Sequence, residues 1–275
     1  MYRNILALVV AIVAASPAHA PQPTWRALGN GVEYATFDIE PKPPIGDGRL
    51  HVVRIDPSLA TISPRLQARS GGSPRTAAAW CDEPHVAAVI NAGMYNGDLA
   101  THTGYLRIGD SVLGRWTKAY RSVLLLGPRA PGLPQATIRD VEASDDAASF
   151  HDYDAVIQNL RLLRDPGVNV WSDSTRRWSV AAIAVDRAGR ILFLFLRSPL
   201  TMHEFNAAVM RLPLDVVRAM HVEGGPEASL SVRGPGIALD LSGSYETGFL
   251  EADDNGHQWP LPNVLVVETR PPTRP

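Results

Sequence analysis

Apolar residues recur along the chain in short runs bounded by Gly, Pro or Asp, a pattern of β-strands rather than of long amphipathic helices. Runs at Val32 to Ile39, Leu50 to Ile55, Val86 to Ile90, Ser122 to Leu126, Val180 to Val185, Ile191 to Leu196 and Val264 to Glu268 are the expected strands. Ile191 to Leu196 is apolar at every position, so both of its faces are covered and it belongs at the centre of a sheet. Asp186 to Gly189 joins it to the preceding strand as a hairpin turn. Two helices have chemical start signals. Ser73-Pro74 offers a capping hydroxyl followed by a proline whose missing N–H is harmless there, and predicts a helix running to Glu83-Pro84. Thr201-Met-His-Glu204 is a capping box, followed by Phe205, Ala208, Val209 and Leu212 at helical spacing until Pro213 stops the run. The expected fold is α+β: a mixed, largely antiparallel β-sheet core with a few covering helices, in a single domain.

The first twenty residues break this pattern. Arg3 precedes a charge-free apolar stretch from Ile5 to Ala15, too short to span a bilayer, and Ala18-His19-Ala20 supplies small residues at a cleavage position. Residues 1–20 are therefore expected to be a signal peptide, and the mature protein to be periplasmic or secreted with no stable membrane insertion. Residues 21–49 are expected to form an N-terminal strand and linker, 50–268 the main domain, and 269–275 a flexible tail. Pro128 to Ser149, rich in Pro, Ala, Asp and Ser, is expected as an exposed insertion.

Charge and cysteine content narrow the function. A net charge of -2 with mixed signs gives no footprint for nucleic acid or an anionic membrane surface. Cys81 is the one cysteine, so stability must come from packing rather than disulfides. There is no phosphate-binding Walker loop, no zinc-protease helix, no nucleophile elbow and no paired Cys ligands, and neither a metal nor a cofactor is expected.

Two segments carry candidate chemistry because small residues follow a buried-type strand and polar groups follow the small ones. In Asn91-Ala-Gly-Met-Tyr95, Gly93 can adopt a positive φ and Asn91 offers an amide donor and acceptor at the rim of a crevice. In Glu223-Gly-Gly-Pro-Glu-Ala-Ser229, the N–H groups of Gly224 and Gly225 can point at an anion beside the Glu223 carboxylate. His221 alternates with Glu223 on one strand face and is a spare acid/base candidate; Glu227 is either part of this group or a solvated charge. Asp98 and His102, in the loop after Asn91, can face the same crevice.

In the order of these features the chain resembles the phosphodiester glycosidase family. The family's helix, its strand ending in Asn-Gly-Gly or Asn-Ala-Gly with an aromatic, its Gly-rich hairpin, its late hairpin, its second helix and its strand ending in Asp-Gly-Gly correspond to segments of this chain. They are Ser73 to Glu83, Asn91 to Tyr95, Gly104 to Gly114, Trp178 to Leu196, Thr201 to Leu212 and Glu223 to Gly225. The resemblance spans Leu50 to Val267, with Glu223 where Asp is usual and the serine that commonly follows displaced toward Ser229. It implies hydrolysis of a sugar-1-phosphodiester through a transition state with positive charge on the sugar. It also implies roles: Glu223 as the carboxylate that stabilises or attacks the anomeric centre or activates water, Asn91 and Tyr95 in positioning, and Arg177 with the Gly224 and Gly225 N–H groups on the phosphate. The alternative is a catalytically reduced envelope module that binds an anionic glycan or wall polymer.

Overall fold

The computed structural model describes residues 23–71 and 73–269; the expected signal peptide and residues 270–275 of the expected tail lie outside them. Two sheets, of twelve and five strands, face each other, and every pairing between named strands is antiparallel. With only short helices added, the chain is a single α+β domain dominated by β-structure. The middle of the larger sheet runs through Ile191–Leu200, Trp178–Asp186, Val216–Gly224 and Tyr153–Arg164 in that spatial order. The smaller sheet centres on Val86–Asn91, between Ser229–Gly234 and Asn263–Thr269.

Alternation along the strands explains the layering. In Ile191–Leu200, Ile191, Phe193 and Phe195 enter the core between the two sheets, while Leu192, Leu194 and Leu196 enter a second core under the helix Met202–Arg211. This is the physical reason for the uninterrupted apolar run, and each fully buried side chain of this kind contributes roughly 1.5–3 kcal/mol. The turn at Asp186 to Gly189 forms as expected, with Gly189 at φ 83° and the Asp186 carboxylate gripping Arg190.

The capping box at Thr201 holds: its hydroxyl accepts from the Glu204 N–H and the Glu204 carboxylate accepts from the Thr201 N–H. The first helix differs from expectation. It spans only Ala77–Cys81 and is capped by Thr76, not Ser73, because the Arg75 carbonyl accepts from the Leu261 N–H and keeps that stretch extended. The stretch 128–149 also departs from the expected exposed insertion. Ala136–Asp140 within it pairs with Ser122–Pro128, and Ala136 and Ile138 are buried between the sheets. Likewise Val32–Asp38, within the expected N-terminal strand and linker, pairs along its full length with Arg49–Ile55 and belongs to the larger sheet.

The strand Val216–Gly224 positions the chemistry. Its pairing with Trp178–Asp186 skips Val222, since His221 faces Ala182 and Glu223 faces Ala181. Such a bulge bends a strand end and re-aims its side chains, here where the strand leaves the sheet.

Candidate functional site

His221, Glu223 and Gly224 line one pocket of about 160 Å³ at this strand end, on the side of the larger sheet that carries the helix Met202–Arg211. Trp171, Trp178 and Met202 supply apolar walls, and Arg176 and Glu246 supply charge. Glu223 is buried, and burial holds its carboxyl well above the usual carboxylate range, with the charges of Glu227 and Glu246 pushing the same way. The adjacent Gly224 N–H, donating to Glu223 at 3.1 Å, offsets part of this. In the free pocket Glu223 is therefore biased toward its neutral, proton-bearing form.

Glu246 is raised less strongly: burial lifts it and the Arg176 charge pulls it back. Arg176 itself sits over the Trp178 ring at 5.6 Å and has no ion-pair partner among the described residues. His221 is 5 % exposed, and burial lowers its imidazole to about 4, so it is neutral at neutral pH. Neither of its ring nitrogens has a hydrogen-bond partner among the described residues. Buried polar atoms without partners are rare, and here they line a pocket, so one N–H and one lone pair remain for a ligand.

The Gly225 turn lets the acids crowd together. Gly225 has φ +60°, and a Cβ there would lie 2.5 Å from a Glu246 carboxylate oxygen and 3.4 Å from one of Glu227. Glu227, half-buried, is itself raised, by burial first and by the Glu246 charge. Tyr95 faces the same acids: burial raises its phenol, and Glu223 and Glu227 add to the shift.

Asn91 reaches this group indirectly. Its side-chain N–H donates to the Glu227 carbonyl at 3.0 Å and its oxygen accepts from the Ser229 N–H at 2.8 Å, so the amide clamps the turn that carries Glu227. The amide is buried and holds the turn, rather than standing at the rim as expected. Asn91→Ala strands a buried donor and a buried acceptor, and should cost about 1–3 kcal/mol of stability. It should also lower kcat more than it raises KM. Thermal denaturation with kinetics checks this, and an unchanged melting temperature would remove the clamp from the account.

The other expected site residues do not play the parts expected of them, and Gly93, Asp98, His102 and Arg177 are not among the residues that line the pocket. The Gly224 N–H is taken by Glu223 rather than turned outward to an anion. Gly93 does not take a positive φ; it leaves space for His102, whose ring would lie 2.1 Å from a Cβ there. His102 is buried, lowered by that burial to about 4, and bonded to the Gln158 carbonyl at 3.2 Å. Asp98 is exposed and caps its own loop through the Ala100 and Thr101 N–H groups, which together with the Thr101 hydroxyl lower its pKa. Arg177 is tied to Glu204 by two bonds of 2.6 and 2.7 Å and lines a different hollow; its neighbour Arg176 occupies the pocket.

Sequence reasoning missed Glu246. It lies in a Gly- and Ser-containing stretch, tied by backbone bridges to Trp178 and Leu250, and resembles the acids of the nearby exposed turn. Among the described residues no group of three or more His, Cys, Asp or Glu is arranged to hold a metal ion.

The phosphodiester glycosidase (NAGPA) family matches residues 84–268. No curated protein matches the chain. Among solved structures the chain is similar to the catalytic domain of zebrafish N-acetylglucosamine-1-phosphodiester alpha-N-acetylglucosaminidase, auto-inhibited by its pro-peptide, with 11 % identity and a TM-score of 0.62. The alignment covers 90 % of this chain and 88 % of that one. A hypothetical protein from Synechocystis is similar at 15 % identity and a TM-score of 0.55, over 92 % of this chain and 65 % of that one. At these identities the structural matches speak for the fold.

Proposed function

The chain belongs to the phosphodiester glycosidase family, and from that premise we propose that it hydrolyses a sugar-1-phosphodiester between the anomeric carbon and the phosphate oxygen, with Glu223 and Glu246 as its working carboxylates. The observation that carries this reading is that both acids, the unpaired Arg176 and the unpartnered His221 line one pocket.

The environments of the two acids divide the labour, as paired carboxylates of unequal pKa do in glycosidases. A neutral Glu223 can approach a phosphodiester anion without repulsion and give its proton to the leaving oxygen as the C–O bond breaks toward phosphate. Glu246, raised by burial but less strongly than Glu223 because Arg176 pulls it back, is the more readily ionised of the two; it faces the positive charge that develops on the sugar and takes a proton from the incoming water. A phosphomonoester has a second pKa of about 6, so the leaving group needs less proton assistance than a sugar alkoxide would. Arg176 supplies the counter-charge for the phosphate, and neutral His221 can donate to and accept from sugar hydroxyls.

A screen of sugar-1-phosphodiesters, reading free sugar and phosphomonoester release, tests the proposal. Absence of turnover with every such diester would sink it.

Export is part of the same reading, supported by Arg3, the apolar run and Ala18-His19-Ala20. No helix among the described residues is long and apolar enough to cross a membrane. Mass spectrometry of the native protein should find a periplasmic or secreted chain beginning within a few residues of Pro21. An intact Met1 in the membrane fraction would contradict export with cleavage.

A further inference from the structure

We propose that the hollow between the Glu40 to Pro44 loop and the helix Met202–Arg211 is the aglycone subsite, and that it selects an aglycone carrying a negative charge of its own. The inference rests on the hydrolase reading above and extends it to the substrate's other half.

Size is the first reason. At about 160 Å³ the carboxylate pocket falls below the roughly 300–1,000 Å³ typical of small-molecule sites, so a sugar with its phosphate and aglycone overfills it. The second hollow offers about 500 Å³.

Residues adjacent in sequence line the two hollows at two places. Arg176 faces the carboxylate pocket and Arg177 the hollow; Met202 faces the pocket and His203 the hollow. A third link crosses between them, since a His203 ring nitrogen bonds at 2.6 Å to the carbonyl of Trp171, which lines the pocket. In the proposed arrangement an aglycone extending past Arg176 occupies this hollow.

Charge sets the ligand class. Arg177 and Glu204 neutralise each other. The Arg211 guanidinium donates to the Glu40 backbone carbonyl at 2.9 Å and has no carboxylate partner, and Lys42 has neither an ion pair nor a hydrogen bond among the described residues. Lys42 and Arg211 therefore stand against the single carboxylate of Glu40, over a floor of prolines and aliphatic side chains. An aglycone with a second phosphate fits this balance; a neutral alkyl group would leave both cations unused.

The test compares two substrates of one sugar: its 1-phosphate methyl ester, and its 1-phosphate ester to glycerol 3-phosphate. Wild-type protein should show a lower KM for the glycerol phosphate diester. Lys42→Ala, at an exposed side chain without partners, should raise that KM by about threefold, the scale of one solvent-exposed ion pair, and Lys42→Ala with Arg211→Ala should raise it further. The methyl ester's KM should stay unchanged in both variants. Equal KM values in the wild type, or parallel shifts for both substrates, would overturn the subsite. The pair is made on a sugar that the screen above shows to be turned over; if no sugar-1-phosphodiester is turned over, the hydrolase reading fails by itself, and calorimetric titration with glycerol 3-phosphate then decides the subsite. Binding that the double variant loses supports it; no binding to the wild type, or equal binding to the double variant, refutes it.

Discussion

Glu223→Gln should keep substrate binding while kcat falls by about a hundredfold, and Glu246→Gln should cost about a thousandfold. The two losses differ because the two acids meet different charges. Glutamine copies the shape and hydrogen-bonding of a neutral Glu223 but cannot release a proton. General-acid catalysis is worth about 10²–10⁴, and a phosphate leaving group draws on the low end of that range. Glu246→Gln removes the anion that faces the developing cation, a loss felt only in the transition state. A glycosyl fluoride, whose leaving group needs no proton, separates the roles. Glu223→Gln should turn it over within about tenfold of wild type, whereas Glu246→Gln should fail on fluoride and phosphodiester alike. Full phosphodiester activity in Glu223→Gln, or rescue of Glu246→Gln by fluoride, would reverse or remove the assignment.

The wild-type pH profile should carry the same signature. Ionising Glu223 puts a negative charge where the phosphodiester anion must sit, so activity should decline as pH rises through its elevated pKa. That alkaline limb should vanish in the residual phosphodiester turnover of Glu223→Gln, and should be missing from the wild type on the fluoride, which carries no phosphate anion.

The sandwich was legible in the sequence because its strands obey simple patterns. Ile191 to Leu196 reads as doubly buried and is so, one set of side chains entering each core. The capping box at Thr201 reads correctly because its two bonds are local. Tyr153–Arg164, the strand beside Val216–Gly224, was not legible, since Gln158, Asn159 and Arg161 interrupt its apolar pattern. Gln158 and Asn159 spend their amides on the backbone of distant loops, Gln158 on Thr117 and Tyr120 and Asn159 on Ala92. Only tertiary structure supplies such partners.

The candidate site divides the same way. Glu223 and His221 could be paired because both sit on one strand. Arg176 and Arg177 could not be told apart, because which one turns toward Trp178 depends on the segment's path between two hollows. Glu246 joins the pocket through a fold-back that no spacing encodes, and the partners of the Asn91 amide, the Glu227 carbonyl and the Ser229 N–H, lie on a turn that only the fold brings to it.

Acid should destabilise this protein steeply between about pH 6.5 and 4, and the two buried histidines should be a principal cause. His102 and His221 are 1 % and 5 % exposed, and burial lowers each to about 4 from an ordinary 6.5. In the unfolded chain both take up a proton as pH falls through 6.5, whereas in the native state they stay neutral until about 4. Their contribution is complete above pH 6.5, declines below it, and levels off once the native groups also protonate. A shift of that size is on the order of 3 kcal/mol for each histidine, a large share of the roughly 5–15 kcal/mol that stabilises an ordinary domain. Glu223 acts in the opposite direction, because a carboxyl raised by burial loses stability as pH rises past its ordinary value. The acid limb should therefore survive in Glu223→Gln and shrink in His221→Gln, which cannot protonate. Urea midpoints at pH 7, 5.5 and 4.5 measure it directly. A wild-type midpoint that holds steady across that series, or an acid limb unchanged in His221→Gln, would show that the His221 ring takes up its proton in the native pocket.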